Sequence, residues 1–308
     1  MMKNRKSILW TDCTFYKNYD IKNAMLKDLL SLTKPRLSSL VIFTATGGWW
    51  LAPVESPALV GFYAVAGTTL TVGAANTLNN YLERESDKHM TRTQNRPLPT
   101  GRLSPQAALF FGLFLTAIAI PILVILVHPL SALLAGLALI SYVFIYTPMK
   151  RTSSMNTLVG AFPGALPPLI GWTAATHSID IGGLLLFALM LLWQIPHFLA
   201  ICIYRKGEYE EAGLVMLSSS HGLETTRKQI LIYTMALVPI PALLFLSKVC
   251  GWSTLIIGSV LGFWWFWQAI DGFRNKREDA WARKFFFTSL YYLMGIFMAI
   301  IIDGTFLL

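Results

Sequence analysis

The sequence predicts an all-α membrane protein, a bundle of nine transmembrane helices with its N terminus in the cytoplasm and its C terminus outside. Three observations predict it. Of 308 residues, 55% are hydrophobic and 13% charged, roughly half the charge of a soluble domain. Mean hydropathy is +0.54, and apolar runs close to the ~20 residues of a membrane span recur to the end of the chain. Of the 25 Lys and Arg residues, all but Lys248 fall before the first run or in alternate loops, the bias that marks a cytoplasmic face. The net charge of +9 therefore reads as membrane orientation. A chain made mostly of apolar segments has no broad basic face for a duplex, so no nucleic-acid partner is expected.

The elements follow in order. Residues 1–36 are basic but lack the apolar core of a signal peptide, and Asp12, Asp20 and Asp28 are unlike an acid-poor transit peptide. They read as a cytoplasmic arm, helical in part over 21–32, ahead of a membrane domain spanning 37–308. The first span, 37–52, is short and ends on Trp49 and Trp50, aromatics of the kind that settle at an interface. The second, 57–82, carries Asn76, Asn79 and Asn80 toward its cytoplasmic end. Spans at 106–127 and 130–149 are free of charged residues. The fifth, 156–175, holds Gly160, Pro163, Gly164, Pro167 and Pro168, which permit a kink and close helix approach. The sixth, 181–204, contains His197. Spans at 229–247, 251–272 and 285–308 complete the set, and the aromatic run 263–267 reads as lipid-facing or packing surface. Cys13, Cys202 and Cys250 fall inside, within a span and outside, so neither a structural disulfide nor a cysteine zinc site follows. His89, His128, His177 and His221 lie in loops without paired metal-ligand spacing and read as solvated.

Chemistry concentrates in two cytoplasmic loops, 83–105 and 205–228. Asn79, Glu83 and Asp87 are spaced i, i+4, i+8, so a helix continuing past the second span would align them as one stripe of oxygen ligands. Hard oxygens in an incomplete set suit Mg²⁺ when substrate phosphates supply the rest. Arg92 and Arg96 follow, also four apart, before Pro97 and Pro99 end any helix. Carboxylates for a metal beside arginines for phosphate oxygens make a diphosphate site. Intramembrane asparagines strengthen the functional reading over that of a merely solvated loop.

The pattern Asn79-x-x-x-Glu83-x-x-x-Asp87, followed by Arg92, Thr93, Asn95, Arg96, Pro97, Leu98, Pro99 and Gly101, resembles the first motif of the UbiA superfamily of intramembrane prenyltransferases, over roughly residues 30–304. The second motif departs from that superfamily's general pattern: Arg205 and Tyr209 stand where two acids are expected, with Glu208 the nearest acid. YTPMKR at 146–151, GAFPGALPPLIGW at 160–172, and WQIPHF at 193–198 followed by RKGEYEEAG resemble the protoheme IX farnesyltransferase branch. This resemblance implies transfer of a farnesyl group from farnesyl diphosphate to the 2-vinyl group of haem B, with addition of water, to give haem O for terminal oxidases. It implies Mg²⁺ held by Asn79, Glu83 and Asp87, with Arg92, Arg96 and Lys150 on the departing diphosphate. Haem B is then a substrate and not a resident cofactor. His197 reads either as a hydrogen-bond partner of a neighbouring helix or, given a haem substrate, as an axial contact to iron. Arg205, Lys206, Glu208 and Tyr209 become substrate-binding candidates, and the basic pair could meet haem propionates or diphosphate. Implied partners are the lipid bilayer of a bacterial inner membrane and a haem A synthase or terminal oxidase assembly factor.

Three rivals remain. A transporter or channel explains the broken helices but not acids and arginines gathered at one face. A prenyltransferase for an aromatic or quinone precursor would favour intact acid pairs in both loops. A haem chaperone would keep His197 without needing the Asn79, Glu83, Asp87 stripe.

Overall fold

The computed structural model describes residues 24–275 and 277–307; the expected helical turn at 21–23 and Cys13 lie outside that range. Among the described residues the protein is all helical, and eight helices are long and apolar enough to cross a membrane. In chain order the main helices are α1 (Pro35–Trp50), α2 (Ala58–Glu83), α3 (Pro105–Leu126), α4 (Pro129–Met149), α5 (Asn156–Thr176), α6 (Ile181–Tyr204), α7 (Gly222–Leu246), α8 (Trp252–Asp271) and α9 (Glu278–Leu307). The sixteen-residue α1 is shorter than the other eight and packs against α2, α5 and α9.

Neighbours in sequence are mostly neighbours in space, as short outer loops require. Helix α2 lies on α3, α4 on α5, α5 on α6, α7 on α6 and α8 on α9, while α9 returns to α6 and α1. The core is densest between α5, α6, α8 and α9, around the buried rings of Trp172, Trp265, Phe285, Tyr292 and Phe297. Trp265 stacks on Phe285 at 5.0 Å, whereas Phe263, Trp264 and Trp267 on the same helix are exposed. An outward row of Phe110, Phe114, Ile125, Phe144 and Tyr291 fits a hydrocarbon solvent.

Helix α5 stays continuous through all three of its prolines and packs closely enough that glycine is required. A Cβ on Gly171 would stand 2.0 Å from the Ala45 carbonyl oxygen, and one on Gly48 would stand 2.0 Å from that of Pro168. The α1–α5 seam is thus a backbone-to-backbone contact of the small-residue kind.

Several boundaries differ from the hydropathy reading. Helix α7 begins at Gly222, seven residues before the apolar run, because Glu224 and Lys228 pair across one turn at 2.6 Å and polar turns extend helices without raising hydropathy. Likewise α9 starts at Glu278, with Glu278 and Asp279 in the first turn, where carboxylates complement the helix dipole. The expected α2 stripe is also corrected. The α-helix stops at Glu83, and Asp87 sits on a 3₁₀ turn over Ser86–His89. Two of the loop histidines pair: His128 and His177 stack with centroids 4.4 Å apart, and His128 Nδ1 accepts from the Leu130 N–H to cap α4.

At the far end, Asp303 of α9 accepts from the backbone N–H groups of Gly251, Ser253 and Thr254 at 2.9, 3.2 and 2.8 Å, capping α8. Asp303→Ala leaves those donors bare and is expected to cost about 1–2 kcal/mol. The thermal unfolding midpoint in detergent should fall by a few degrees, and an unchanged midpoint would remove the cap from the account.

Candidate active site

The C-terminal end of α2 brings three oxygen donors and three cations together, one cation on each donor. Lys34 Nζ donates to Asn79 Oδ1 at 3.3 Å. Lys150 Nζ meets Glu83 Oε1 at 2.8 Å, and Arg96 Nη1 meets Asp87 Oδ2 at 2.7 Å. Local structure fixes each donor. The Asn79 amide is oriented from behind: its Nδ2 donates to Thr147 Oγ1 at 3.0 Å, whose own hydrogen goes to the Tyr142 carbonyl at 2.8 Å. A hydroxyl has one hydrogen to give, so the amide oxygen must face the cations. Tyr142 and Thr147 reach that position because α4 opens into a π-helical stretch over Ser141–Tyr146, a distortion frequent at functional sites.

Asp87 is buried by the 3₁₀ turn, and Thr93 Oγ1 ties the following loop to its carbonyl at 3.0 Å. Arg96 also donates to Asn80 Oδ1 at 3.1 Å. Asn76 and Asn80 then hold the segment that carries Lys34, donating to the carbonyls of Thr33 and Leu32 at 3.2 and 3.0 Å. The span asparagines therefore assemble the site from three separate stretches of chain, which is why polar groups persist there.

The electrostatics follow from this crowding. Burial, then the charges of Arg96 and Lys150, push Lys34 down to about 7. Burial would also lower Lys150, but the electrostatic attraction of Tyr146 and of the Glu83 carboxylate outweighs it and holds Lys150 above the ordinary lysine value; Nζ also lies 4.5 Å from the Tyr146 ring centroid. Lys34 was not legible as a site residue in the sequence. Its one signal is the Lys-Pro step that opens the first span, where it adopts φ +52°, a left-handed conformation uncommon for a residue with a Cβ.

The remaining candidates are arranged around this cluster. Arg92 is exposed and, with Lys27, Lys34, Asn80, Arg96 and Arg102, lines a cleft of about 390 Å³ opening from the cluster. Tyr209, with Tyr146, Phe198, Cys202 and Met216, lines a separate cavity of about 60 Å³; burial pushes its phenol up to about 12. The second loop is joined to the first site by the Val215 N–H, which donates to the Lys150 carbonyl at 2.8 Å. Arg205 pairs with Glu208 at 2.6 Å, leaving Glu208 Oε2 enclosed without a partner. Lys206 is turned to the surface, 3.8 Å from Glu210. His197 is buried on the α9 side of α6, stacked on Trp193 at 4.7 Å and beside Phe286 at 4.6 Å. The structure gives it no contact with the oxygen–cation cluster.

Among the described residues no three His, Cys, Asp or Glu side chains gather closely enough to hold a metal by themselves. Two carboxylates and one amide oxygen, all hard donors, nevertheless fit Mg²⁺ in the partial set it uses when phosphate oxygens complete an octahedral shell.

Known proteins resemble this chain in sequence and in fold. The model of the UbiA prenyltransferase family matches residues 40–291. Protoheme IX farnesyltransferase of Myxococcus xanthus (strain DK1622) is 49% identical over 276 residues, 90% of this chain and 94% of the relative. A solved digeranylgeranylglyceryl phosphate synthase superposes with a TM-score of 0.78 at 15% identity, over 91% of this chain and 98% of that one. A UbiA homologue from Archaeoglobus fulgidus, bound to DMAPP and Mg²⁺, superposes with a TM-score of 0.65 at 16% identity, over 89% and 99%. The two structures establish the fold, and the family match with the close relative establishes descent: the chain belongs to the UbiA prenyltransferase family.

Proposed function

We propose that this protein transfers the farnesyl group of farnesyl diphosphate to the 2-vinyl group of haem B, with addition of water, giving haem O. The observation that carries the reading is the set of three oxygens, Asn79, Glu83 and Asp87, each facing its own cation at the end of α2. The similarity to named protoheme IX farnesyltransferases supports haem as the acceptor.

In this reading Asn79, Glu83 and Asp87 hold Mg²⁺, which when bound neutralises charge on the departing diphosphate. Lys34, Arg96 and Lys150, with Arg92 at the cleft, supply further positive charge to phosphate oxygens, fixed in place before the substrate arrives. The bond between the farnesyl carbon and its diphosphate oxygen breaks. The allylic cation is attacked by the vinyl π electrons, forming the new carbon–carbon bond. Water captures the positive centre left next to the macrocycle and loses a proton. No strongly basic side chain is demanded, and the apolar helices keep bulk water from the farnesyl cation. Arg205, Lys206, Glu208 and Tyr209 lie on the loop that approaches Lys150; the two cations meet the acidic ends of the substrates, Glu208 holds the Arg205 guanidinium in place, and Tyr209 offers its hydroxyl.

The topology belongs to the same proposal. Helix α1 also crosses the membrane and brings the spans to nine, the N terminus is cytoplasmic and the C terminus outside, and the site faces the cytoplasm of a bacterial inner membrane, as the cation bias supports. A haem A synthase or an oxidase assembly factor receives the product.

His197 is the axial contact to haem iron. His197→Ala is expected to change the absorption spectrum of added haem from that of a nitrogen-ligated iron; an identical spectrum removes His197 from that role. The acceptor assignment is tested by offering haem B and a hydroxylated aromatic acid in separate incubations with farnesyl diphosphate. Farnesylation of haem alone is expected, and prenylation of the aromatic acid alone would replace the reading.

A further inference from the structure

Helices α6 and α9 meet through an arrangement that does more than dock them. Trp193 Nε1 donates to the Ser289 carbonyl at 2.8 Å. One turn further along α6, His197 Nδ1 lies 2.6 Å from Ser289 Oγ. Ser289 Oγ also lies 2.5 Å from the Phe286 carbonyl oxygen. A serine hydroxyl has a single hydrogen. Were that hydrogen given to the imidazole, two oxygen acceptors would face each other at 2.5 Å with nothing between them. The hydrogen therefore goes to the Phe286 carbonyl, Ser289 Oγ accepts, and His197 Nδ1 carries the donating proton.

A neutral imidazole protonated at Nδ1 has a bare Nε2. Among the described residues Nε2 makes no hydrogen bond, yet it is not one of the polar atoms sealed in the interior without a partner. The residue itself is only 7% exposed. A side chain more than nine-tenths buried thus keeps one nitrogen that is neither hydrogen-bonded nor sealed off, with Trp193, Phe198 and Phe286 around its ring. A hydrogen bond needed only to dock α9 would not require the second nitrogen to be left free. Along the α6 axis, His197 lies seven residues, roughly 10 Å at 1.5 Å per residue, from the helix end at Tyr204. That depth suits a flat, apolar ligand whose acidic edge stays near the cytoplasmic surface.

We propose that Ser289 is a positioning residue for the haem substrate: by accepting from Nδ1 it locks His197 in the tautomer and ring orientation whose bare Nε2 can bind iron. The proposal rests on the haem reading of the site. The logic is that of the partners behind metal-bound histidines, whose removal typically weakens metal affinity by about 10–100-fold.

Two measurements on the full-length protein in nanodiscs test it. The first needs no haem: ¹⁵N-histidine spectra, with the His197 signal identified by its loss in His197→Gln. The wild type is expected to show a protonated Nδ1 and an unprotonated Nε2, and Ser289→Ala to gain the opposite tautomer. The second titrates haem into wild type, Ser289→Ala, Ser289→Thr and His197→Ala. Ser289→Ala should bind haem at least ~10-fold more weakly with a lower iron–histidine stretching frequency, and Ser289→Thr, which keeps the hydroxyl, should restore both. A wild-type His197 protonated at Nε2, or equal haem affinity and stretching frequency in Ser289→Ala, overturns the assignment; the wild-type spectrum decides even if the variants fold poorly. An unchanged haem spectrum in His197→Ala removes His197 as the iron contact and overturns this proposal with it, whereas a wild type that binds no haem at all overturns the haem reading on which the proposal rests.

Discussion

Glu83→Gln is expected to lower turnover by at least ~10³-fold, on the order of 4 kcal/mol of transition-state stabilisation, while the protein still folds. The substitution changes one atom and one charge. The amide oxygen that replaces a carboxylate oxygen can still accept from Lys150, now at 2.8 Å from Glu83, and Lys150 keeps its place over the Tyr146 ring, so little of the local packing is lost. What disappears is one of the two carboxylates that the proposal assigns to the metal. Asp87→Asn should behave alike in turnover. It should also lower stability, because Asp87 is 3% exposed and its loss leaves the Arg96 guanidinium with an uncharged partner, a change costly in buried ion pairs. Glu210→Gln, at the exposed Lys206 pair, should leave turnover within about twofold, since surface pairs contribute little. Comparing turnover with thermal unfolding for all three decides the matter. Near-normal turnover in Glu83→Gln would remove it from the metal site.

Gly171→Val is expected to prevent folding of most of the protein. Its Cβ would stand 2.0 Å from the Ala45 carbonyl oxygen and 2.9 Å from the Trp49 backbone nitrogen. These are backbone atoms of α1, so relief requires moving a whole helix. Ordinary overpacking costs about 1–3 kcal/mol, and a rigid backbone obstacle puts this case above that range. The consequence reaches the active site, because α1 begins one residue after Lys34 and displacing it pulls that ammonium from Asn79. Gly136→Val is the matching control, as nothing lies within 4 Å of its Cβ. Size-exclusion profiles and helical circular dichroism should separate the two. A monodisperse, active Gly171→Val protein would contradict the tight α1–α5 seam.

The sequence carried the helical class and most of the spans, because burial in lipid imposes long apolar runs that a single chain cannot disguise. It carried Asn79, Glu83, Asp87 and Arg96 through their spacing of four beside asparagines at membrane depth, and Lys150 only through the family resemblance. It did not carry their geometry. A spacing of four suggests one continuous helix, yet the chain leaves the α-helix at Glu83 and reaches Asp87 through a 3₁₀ turn, a choice made by the tertiary pairing with Arg96. The π-helical stretch that orients Asn79 through Thr147 is equally silent, because its residues are apolar and read as plain span. Lys34 belonged to a basic arm in which every lysine looked alike. Ser289 lies 92 positions from His197, and no local period links them. Local pattern reports what a segment is; long-range hydrogen bonds report what it does.

Product identity tests the central claim most directly. Purified protein in nanodiscs, supplied with haem B, farnesyl diphosphate and Mg²⁺, should yield a porphyrin whose mass is that of haem B plus one farnesyl and one hydroxyl group, together with released diphosphate. Glu83→Gln prepared identically should yield almost none. A folded wild-type preparation that consumes farnesyl diphosphate and leaves haem B unchanged would contradict the account.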